Sequence, residues 1–288
     1  MSAANETDTL TPTLSPELDQ ISAQLVAARA DARPLTQFPG DLPETLAAAY
    51  AVQSASIARW PDAVAGWKVG MVAPDYRQLL AAERLSGPIF RRSVYRVAPG
   101  DDVAMPIYKG GFAAVEAEFV FELEKTIEPV VRSYTDADLI DCVAALRIGA
   151  EIASSPMADV NRLGPSCVVC DFGNNEGLLV GPPIADWAAI PPDSLTAIVS
   201  VDGAVVGTAT AAAIEGGLLQ ALRFLVTLCA NRKLELAAGT YVSCGALTGI
   251  HDVTVDSKAT VDFGEFGAFD VSFEAMLPLR ERHSAAPV

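Results

Sequence analysis

The chain has 288 residues, 51% of them hydrophobic, and a formal net charge of -16, with a sequence pI near 4.4. That length can bury one large core or two modest ones, and a field of that sign repels phosphate backbones and anionic membrane surfaces, so neither nucleic acid nor a membrane is an expected partner. The same field opposes an acidic small molecule unless a local positive centre, such as a bound cation, a lysine or an arginine, meets it.

The opening MSAANETDTLTPTLSP has neither a basic start nor an apolar stretch, so residues 1–14 are expected to form a polar disordered tail and not a signal peptide. Ser15-Pro16-Glu17 gives a helix start, and Leu18, Ile21, Leu25 and Ala28 recur at helical spacing up to the break at Arg33-Pro34. A second helix follows Pro43 through Leu46, Ala49, Tyr50, Ile57 and Trp60 and stops at Pro61. The pair makes a helical arm over residues 15–64.

From Ala65 the texture changes to short apolar or alternating runs broken by Gly, Pro and Asp, the pattern of a strand-rich domain over residues 65–277. Expected strands are AGWKVGM, EAEFVFEL, GLLVGP, LTAIVSVDG, TYVSCG, VTVDSKATVDF and FDVSFEAM. Two helices interrupt them. One spans about Asp136 to Gly149 and opens on the capping pattern Thr135-x-x-Asp138; the other spans about Leu218 to Arg232. Residues 278–288 read as a polar tail, and no apolar run is long enough for a bilayer. The fold class is mixed α/β (α+β), built around a curled, largely antiparallel sheet.

Five cysteines, an odd number without a secretory signal, fit reduced thiols in the cytoplasm. Cys167-Val-Val-Cys170 has no second pair, and its valines suggest a strand, so a zinc or redox role is disfavoured. Only His251 and His283 exist, which leaves His251 as the sole candidate for a serine or cysteine triad.

In Val115-Glu116-Ala117-Glu118-Phe119-Val120-Phe121 the side chains alternate, so both glutamates share one face while apolar residues take the other. Paired carboxylates at partial burial repel unless one is protonated or a cation lies between them; a solvated strand edge is the alternative. Glu151 lies amid apolar Ile148, Ala150 and Ile152, either at a surface helix end or as a third carboxylate completing an all-oxygen site suited to Mg²⁺ or Mn²⁺. Lys68 is flanked on its own face by Gly66 and Gly70, which leave room for a ligand. It suits an acid, a base or an anion partner, or a strand-edge lysine that deters aggregation. Arg91, beside Arg92, can meet a substrate carboxylate or lie in a solvated loop, and Asp171 is either a turn residue or a polar pocket wall.

Taken in order, AYAVQ (49–53), GWKVGM (66–71), VEAEFVFEL (115–123), AEIASS (150–155), DFGNNEGLLVG (171–181), VDGAVVG (201–207), LAAGTYVSCGALTG (236–249) and VDFGEFG (261–267) resemble the fumarylacetoacetate hydrolase superfamily. The resemblance is to its branch of 2-oxopent-4-enoate hydratases and 2-oxo-3-hexenedioate decarboxylases. It implies a divalent cation on Glu116, Glu118 and Glu151, a catalytic Lys68, substrate contacts at Cys244 and Gly245, the family's curled sheet and a homo-oligomer. The chain departs from relatives where E-I-x-D-S-R becomes Glu151-Ile152-Ala153-Ser154-Ser155-Pro156, and where the hydroxyl residue before Gly245 becomes Cys244. The implied activity is a Mg²⁺-dependent lyase acting on a small anionic 2-oxo acid. Hydration of a 2-hydroxydienoate leads, with decarboxylation of a 2-oxo diacid, acylpyruvate hydrolysis and an inactive binding homologue as alternatives.

Overall fold

The computed structural model describes residues 14–282; residues 1–13 and 283–288, and with them most of both expected tails and His283, lie outside the described residues. The arm forms as its periodicity predicts. Helix α1 (Pro16–Ala30) is capped by the Ser15 side chain and α2 (Leu46–Arg59) by that of Thr45, each accepting from a first-turn backbone N–H.

The strands and remaining helices follow in chain order: β1 (Val64–Met71), α3 (Pro74–Leu80), β2 (Arg84–Phe90), β3 (Val94–Arg96), β4 (Asp102–Ile107), β5 (Phe112–Leu123), α4 (Asp136–Ile140), β6 (Val143–Ser155), α5 (Pro165–Cys170) and β7 (Asn175–Pro183). Then come β8 (Thr196–Val201), β9 (Ala204–Thr210), α6 (Leu218–Asn231), β10 (Tyr241–Ser243), β11 (His251–Asp252), β12 (Lys258–Asp262), β13 (Ala268–Ala275) and α7 (Leu279–Arg282). The last is a short helical turn inside the stretch expected to be tail.

A curled eight-stranded sheet runs β2-β1-β10-β5-β6-β7-β3, with β11 added along β5, and a second sheet runs β4-β13-β12-β8-β9. Within the larger sheet only β1–β10 and β3–β7 pair in parallel. One face of β5 and β6, carrying Val115, Ala117, Phe119, Phe121, Ile148 and Ala150, forms the main core with Val199, Val261, Phe263, Phe269 and Val271 of the smaller sheet. Phe119 meets Phe263 edge-on at 5.3 Å between ring centroids. Each such buried aromatic contributes roughly 1.5–3 kcal/mol, and together they pin the register of β5, because a one-residue slip would turn its glutamates into this core. A second apolar cluster joins α1, α2 and α5, through Ile21, Leu25, Tyr50, Val52 and Val169, to Leu85 of β2.

Two expectations are corrected. The helix opened by Thr135 has its capping box but ends at Ile140, and residues 143–155 form a strand that pairs with β5 over nearly its whole length and with β7 on its other side. From Leu146 to Ile152 the apolar residues alternate with a period of two, and the ladders on both sides outweigh the local helical start. Glu151 is therefore in the middle of a central strand. Conversely, Cys167-Val-Val-Cys170 is helical: Pro165 opens α5 at N1, and its burial against α2 outweighs the strand preference of valine. Among the described residues, no helix is long and apolar enough to cross a membrane.

Candidate metal centre

Pairing of β5 with β6 puts Glu116 directly opposite Glu151, with Glu118 two residues along β5 on the same face. All three are buried, at 3%, 0% and 0% exposure for Glu116, Glu118 and Glu151, so the solvated-edge alternative does not hold. One carboxylate oxygen from each lies within 4.8 Å of the others. At that spacing, each pair of charges repels by about 3.5 kcal/mol even at an effective dielectric of about 20.

The protein satisfies only part of this demand. Glu118 Oε2 accepts from the Ser243 hydroxyl and from the Gly245 N–H at 2.9 Å, and Glu151 Oε1 accepts from Asn175 Nδ2 at 2.9 Å. Glu116 Oε1, Glu118 Oε1 and Glu151 Oε2 are buried without a hydrogen-bond partner. Lys68 Nζ stands 3.5 Å from Glu151 Oε2, an ion pair too long for a good hydrogen bond. Three carboxylates and one ammonium sum to -2, so a single divalent cation brings the cluster to neutrality. Hard oxygen donors with no histidine or thiolate suit Mg²⁺ or Mn²⁺, and the orphaned oxygens are where the ligand atoms are needed.

Electrostatics record the same strain. Burial, reinforced by Glu151 and opposed by Lys68, pushes the Glu116 carboxyl up to about 8. Burial, with Glu151 and Glu116 adding to it, also drives Glu118 far above the usual carboxylate range. For Lys68 burial works against the charge, yet Glu151, Glu116 and Glu118 outweigh it and hold the ammonium above its ordinary value. Lys68 is thus a cation at neutral pH.

Lys68 also donates to Asn174 Oδ1 at 3.3 Å. Asn174 reaches it from a turn in which Phe172, Gly173 and Asn174 successively have φ of 55°, 68° and 56°, a left-handed run that costs of order 1–3 kcal/mol at each non-glycine residue. Gly87, opposite Lys68 across β1 and β2, admits the turn: a Cβ there would lie 2.1 Å from the Phe172 carbonyl oxygen.

Of the residues singled out in the sequence, Lys68, Glu116, Glu118, Glu151 and Gly245 converge here. Cys244 does not: it alternates into the main core, where its Sγ approaches the Val242 carbonyl at 3.6 Å, and its neighbour Ser243 supplies the hydroxyl. Asp171 opens the turn, its carbonyl accepting from the Asn174 N–H at 2.8 Å, but its carboxylate is bound by the buried Arg29 guanidinium at 2.5 and 3.0 Å. Arg91 lies on an exposed 3₁₀ turn after β2, four residues and roughly 13 Å of strand beyond Gly87. His251 pairs with Val115, on the core side of β5, and its Nε2 meets Thr248 Oγ1 at 3.0 Å. All five cysteines are free, and burial raises the Cys167 and Cys170 thiols well above their ordinary range. Ser243, Asn174, Asn175 and Arg29 escaped the sequence reading; the doubled asparagine in DFGNNEG was its only visible trace.

No protein-family model matches the chain. It is 28% identical over 239 residues, 81% of its length and 88% of the relative's, to a 4-oxalocrotonate decarboxylase of a Pseudomonas species. The 4-oxalocrotonate decarboxylase of Pseudomonas putida G7, complexed with magnesium and adipate, superposes with a TM-score of 0.75 at 22% identity, covering 91% of this chain and 99% of that one; its complex with calcium and acetate gives 0.76 at 21% over the same shares. A fumarylpyruvate hydrolase of Pseudomonas aeruginosa, in complex with Mn²⁺ and pyruvate, gives 0.52 at 16%, covering 73% of this chain and 89% of that one.

Proposed function

The chain has the fold of the fumarylacetoacetate hydrolase superfamily, and on that premise we propose that it is a metal-dependent enzyme that decarboxylates a 2-oxo diacid of the 2-oxo-3-hexenedioate type. The observation that carries the reading is the trio of buried carboxylate oxygens without a hydrogen-bond partner, one of them 3.5 Å from a charged lysine. Glu116, Glu118 and Glu151 would hold a Mg²⁺ or Mn²⁺ ion. When bound, that ion supplies a Lewis-acid charge for the 2-oxo and adjacent carboxylate oxygens of the substrate and for the enolate that develops from them.

The residues of the chain perform the remaining work. Loss of carbon dioxide breaks a carbon–carbon bond and sends its electron pair through the conjugated double bond to the 2-oxo oxygen, so negative charge grows beside the Lys68 ammonium. Lys68 arrives protonated, with one hydrogen bond committed to Asn174 Oδ1, and can donate another proton to that charge. Ser243 and the Gly245 N–H keep Glu118 oriented, and Asn175 does the same for Glu151. Lys68 and the three glutamates are each no more than 5% exposed. Decarboxylation, in place of the hydration expected from the sequence, is supported by the 28%-identical relative, a 4-oxalocrotonate decarboxylase.

Incubation with 2-oxo-3-hexenedioate and separately with 2-hydroxypenta-2,4-dienoate, followed by mass spectrometry, separates the reactions. Loss of carbon dioxide from the first supports the proposal; gain of water by the second, with the first unchanged, makes the chain a hydratase instead. Five free thiols fit a cytoplasmic location. Assembly with copies of itself is part of the same reading, supported by exposed Val205 and Val206 on β9, the uncharged outer strand of the smaller sheet, and light scattering tests it.

A further inference from the structure

Arg29 ends α1 far from any catalytic motif, yet its side chain is 3% exposed and its donors are engaged. Nε and Nη2 grip the Asp171 carboxylate at 2.5 and 3.0 Å, Nη1 reaches Glu176 Oε2 at 2.9 Å, and the backbone carbonyls of Asn175, Ser154 and Asp171 each accept at 3.0–3.1 Å. The guanidinium also stacks within 5.5 Å of the Tyr108 ring and 5.3 Å of the Phe172 ring. Apart from Ser154 and Tyr108, these partners belong to residues 171–176.

That segment contains the left-handed run at Phe172, Gly173 and Asn174, a conformation that persists only where surrounding contacts impose it. Its two asparagines then point in defined directions, Asn174 to Lys68 Nζ and Asn175 to Glu151 Oε1. A buried cation on the helical arm thus touches every residue of the turn that orients the lysine and one of the three carboxylates, save Gly173 and Asn174.

We propose that Arg29 is a positioning residue for the carboxylate centre, holding the 171–176 turn through Asp171 and Glu176 so that Asn174 and Asn175 fix Lys68 and Glu151. The inference rests on the metal-dependent reading of the three glutamates. It gives the helical arm a task in the chemistry, because the arm delivers the group that keeps the turn in its strained shape. Arg29→Lys keeps the charge but loses the forked grip on Asp171 and most of the carbonyl contacts.

The test is Mn²⁺ titration of the EDTA-stripped full chain, without substrate, followed by electron paramagnetic resonance of the free ion. Arg29→Lys is expected to weaken Mn²⁺ binding about 10- to 100-fold, as loss of an outer support of metal ligands does. Leu25→Ala, which opens a cavity in the apolar cluster under the same helix and leaves the Arg29 side chain in place, is expected to lower the melting temperature and leave the affinity within about two-fold. An Arg29→Lys affinity equal to wild type, or an equal loss in Leu25→Ala, overturns the inference. If Arg29→Lys does not fold, Glu176→Gln replaces it, with several-fold weaker binding expected and unchanged binding overturning the inference. A wild-type chain that binds no Mn²⁺ overturns the metal reading as well, so the two failures are distinguishable.

Discussion

Stripping the metal should make this protein lose stability as the pH rises through neutrality, the reverse of a protein held by ordinary salt bridges. The folded Glu116 carboxyl is raised from 4.5 to about 8 by burial and by Glu151. A carboxylate raised on folding binds its proton more tightly in the native state, so its contribution is fully present below pH 4.5 and is lost as the pH climbs through 8. The loss is about 1.4 kcal/mol per pH unit and on the order of 4–5 kcal/mol over the interval. For a chain of this size that lowers the melting temperature by roughly 10 °C or more. A bound divalent ion requires the deprotonated ligands, so saturating Mg²⁺ stabilises more at pH 8 than at pH 5.

The assay is thermal unfolding by circular dichroism at pH 5 to 8, in EDTA and in excess Mg²⁺, for wild type and Glu116→Gln. The expected result is a melting temperature that falls with pH in EDTA, a gap to the Mg²⁺ curve that widens, and a shallower EDTA profile in Glu116→Gln. His251, whose ring is pushed down by partial burial, contributes with the opposite sign, and comparison with the variant cancels it. An EDTA profile that is flat in wild type, or identical in wild type and Glu116→Gln, would show that the Glu116 proton does not stabilise the metal-free fold.

Lys68→Met should lower kcat by about 10²–10⁴-fold while leaving Mg²⁺ binding as tight or tighter, since a competing cation is gone; calorimetry beside steady-state kinetics checks both. Gly87→Ala, whose Cβ meets the Phe172 carbonyl oxygen at 2.1 Å, should displace the 172–174 turn and cost activity together with roughly 1–3 kcal/mol of stability, read from kcat and urea unfolding. Thiol labelling of the native chain should modify Cys142 rapidly and the four buried cysteines only on unfolding, as counted by mass spectrometry. His251→Asn should retain activity within a few-fold, because the ring binds Thr248 on the core side of β5; a loss beyond about 100-fold would return it to the mechanism.

The periodicity of the sequence was enough for the helical arm, for β5 and for the shared face of Glu116 and Glu118, because alternation of charge and large apolar residues has one solution in a central strand. It misled at residues 141–149, where a sound capping box at Thr135 starts only a five-residue helix and the following strand is dictated by β5 and β7, neighbours far away in sequence. Glu151 was therefore placed by the resemblance to relatives and not by its local pattern. The supporting polar groups were harder still. Ser243 and Cys244 look interchangeable as text, and only the register of β10 against β5 sends the serine to Glu118 and the cysteine to the core. Arg29 carries no local signal, since the hydrogen-bond acceptors of its side chain lie more than a hundred residues away.

The geometry places Glu116, Glu118 and Glu151 to share one divalent ion. Calorimetric titration of Mn²⁺ into the EDTA-stripped chain, with oxalate present as an enolate mimic, tests it most directly, in wild type and in Glu151→Gln. One ion per wild-type chain is expected, with binding weakened by at least about ten-fold in the variant. Absence of binding by wild type, or equal affinity in both proteins, would contradict it.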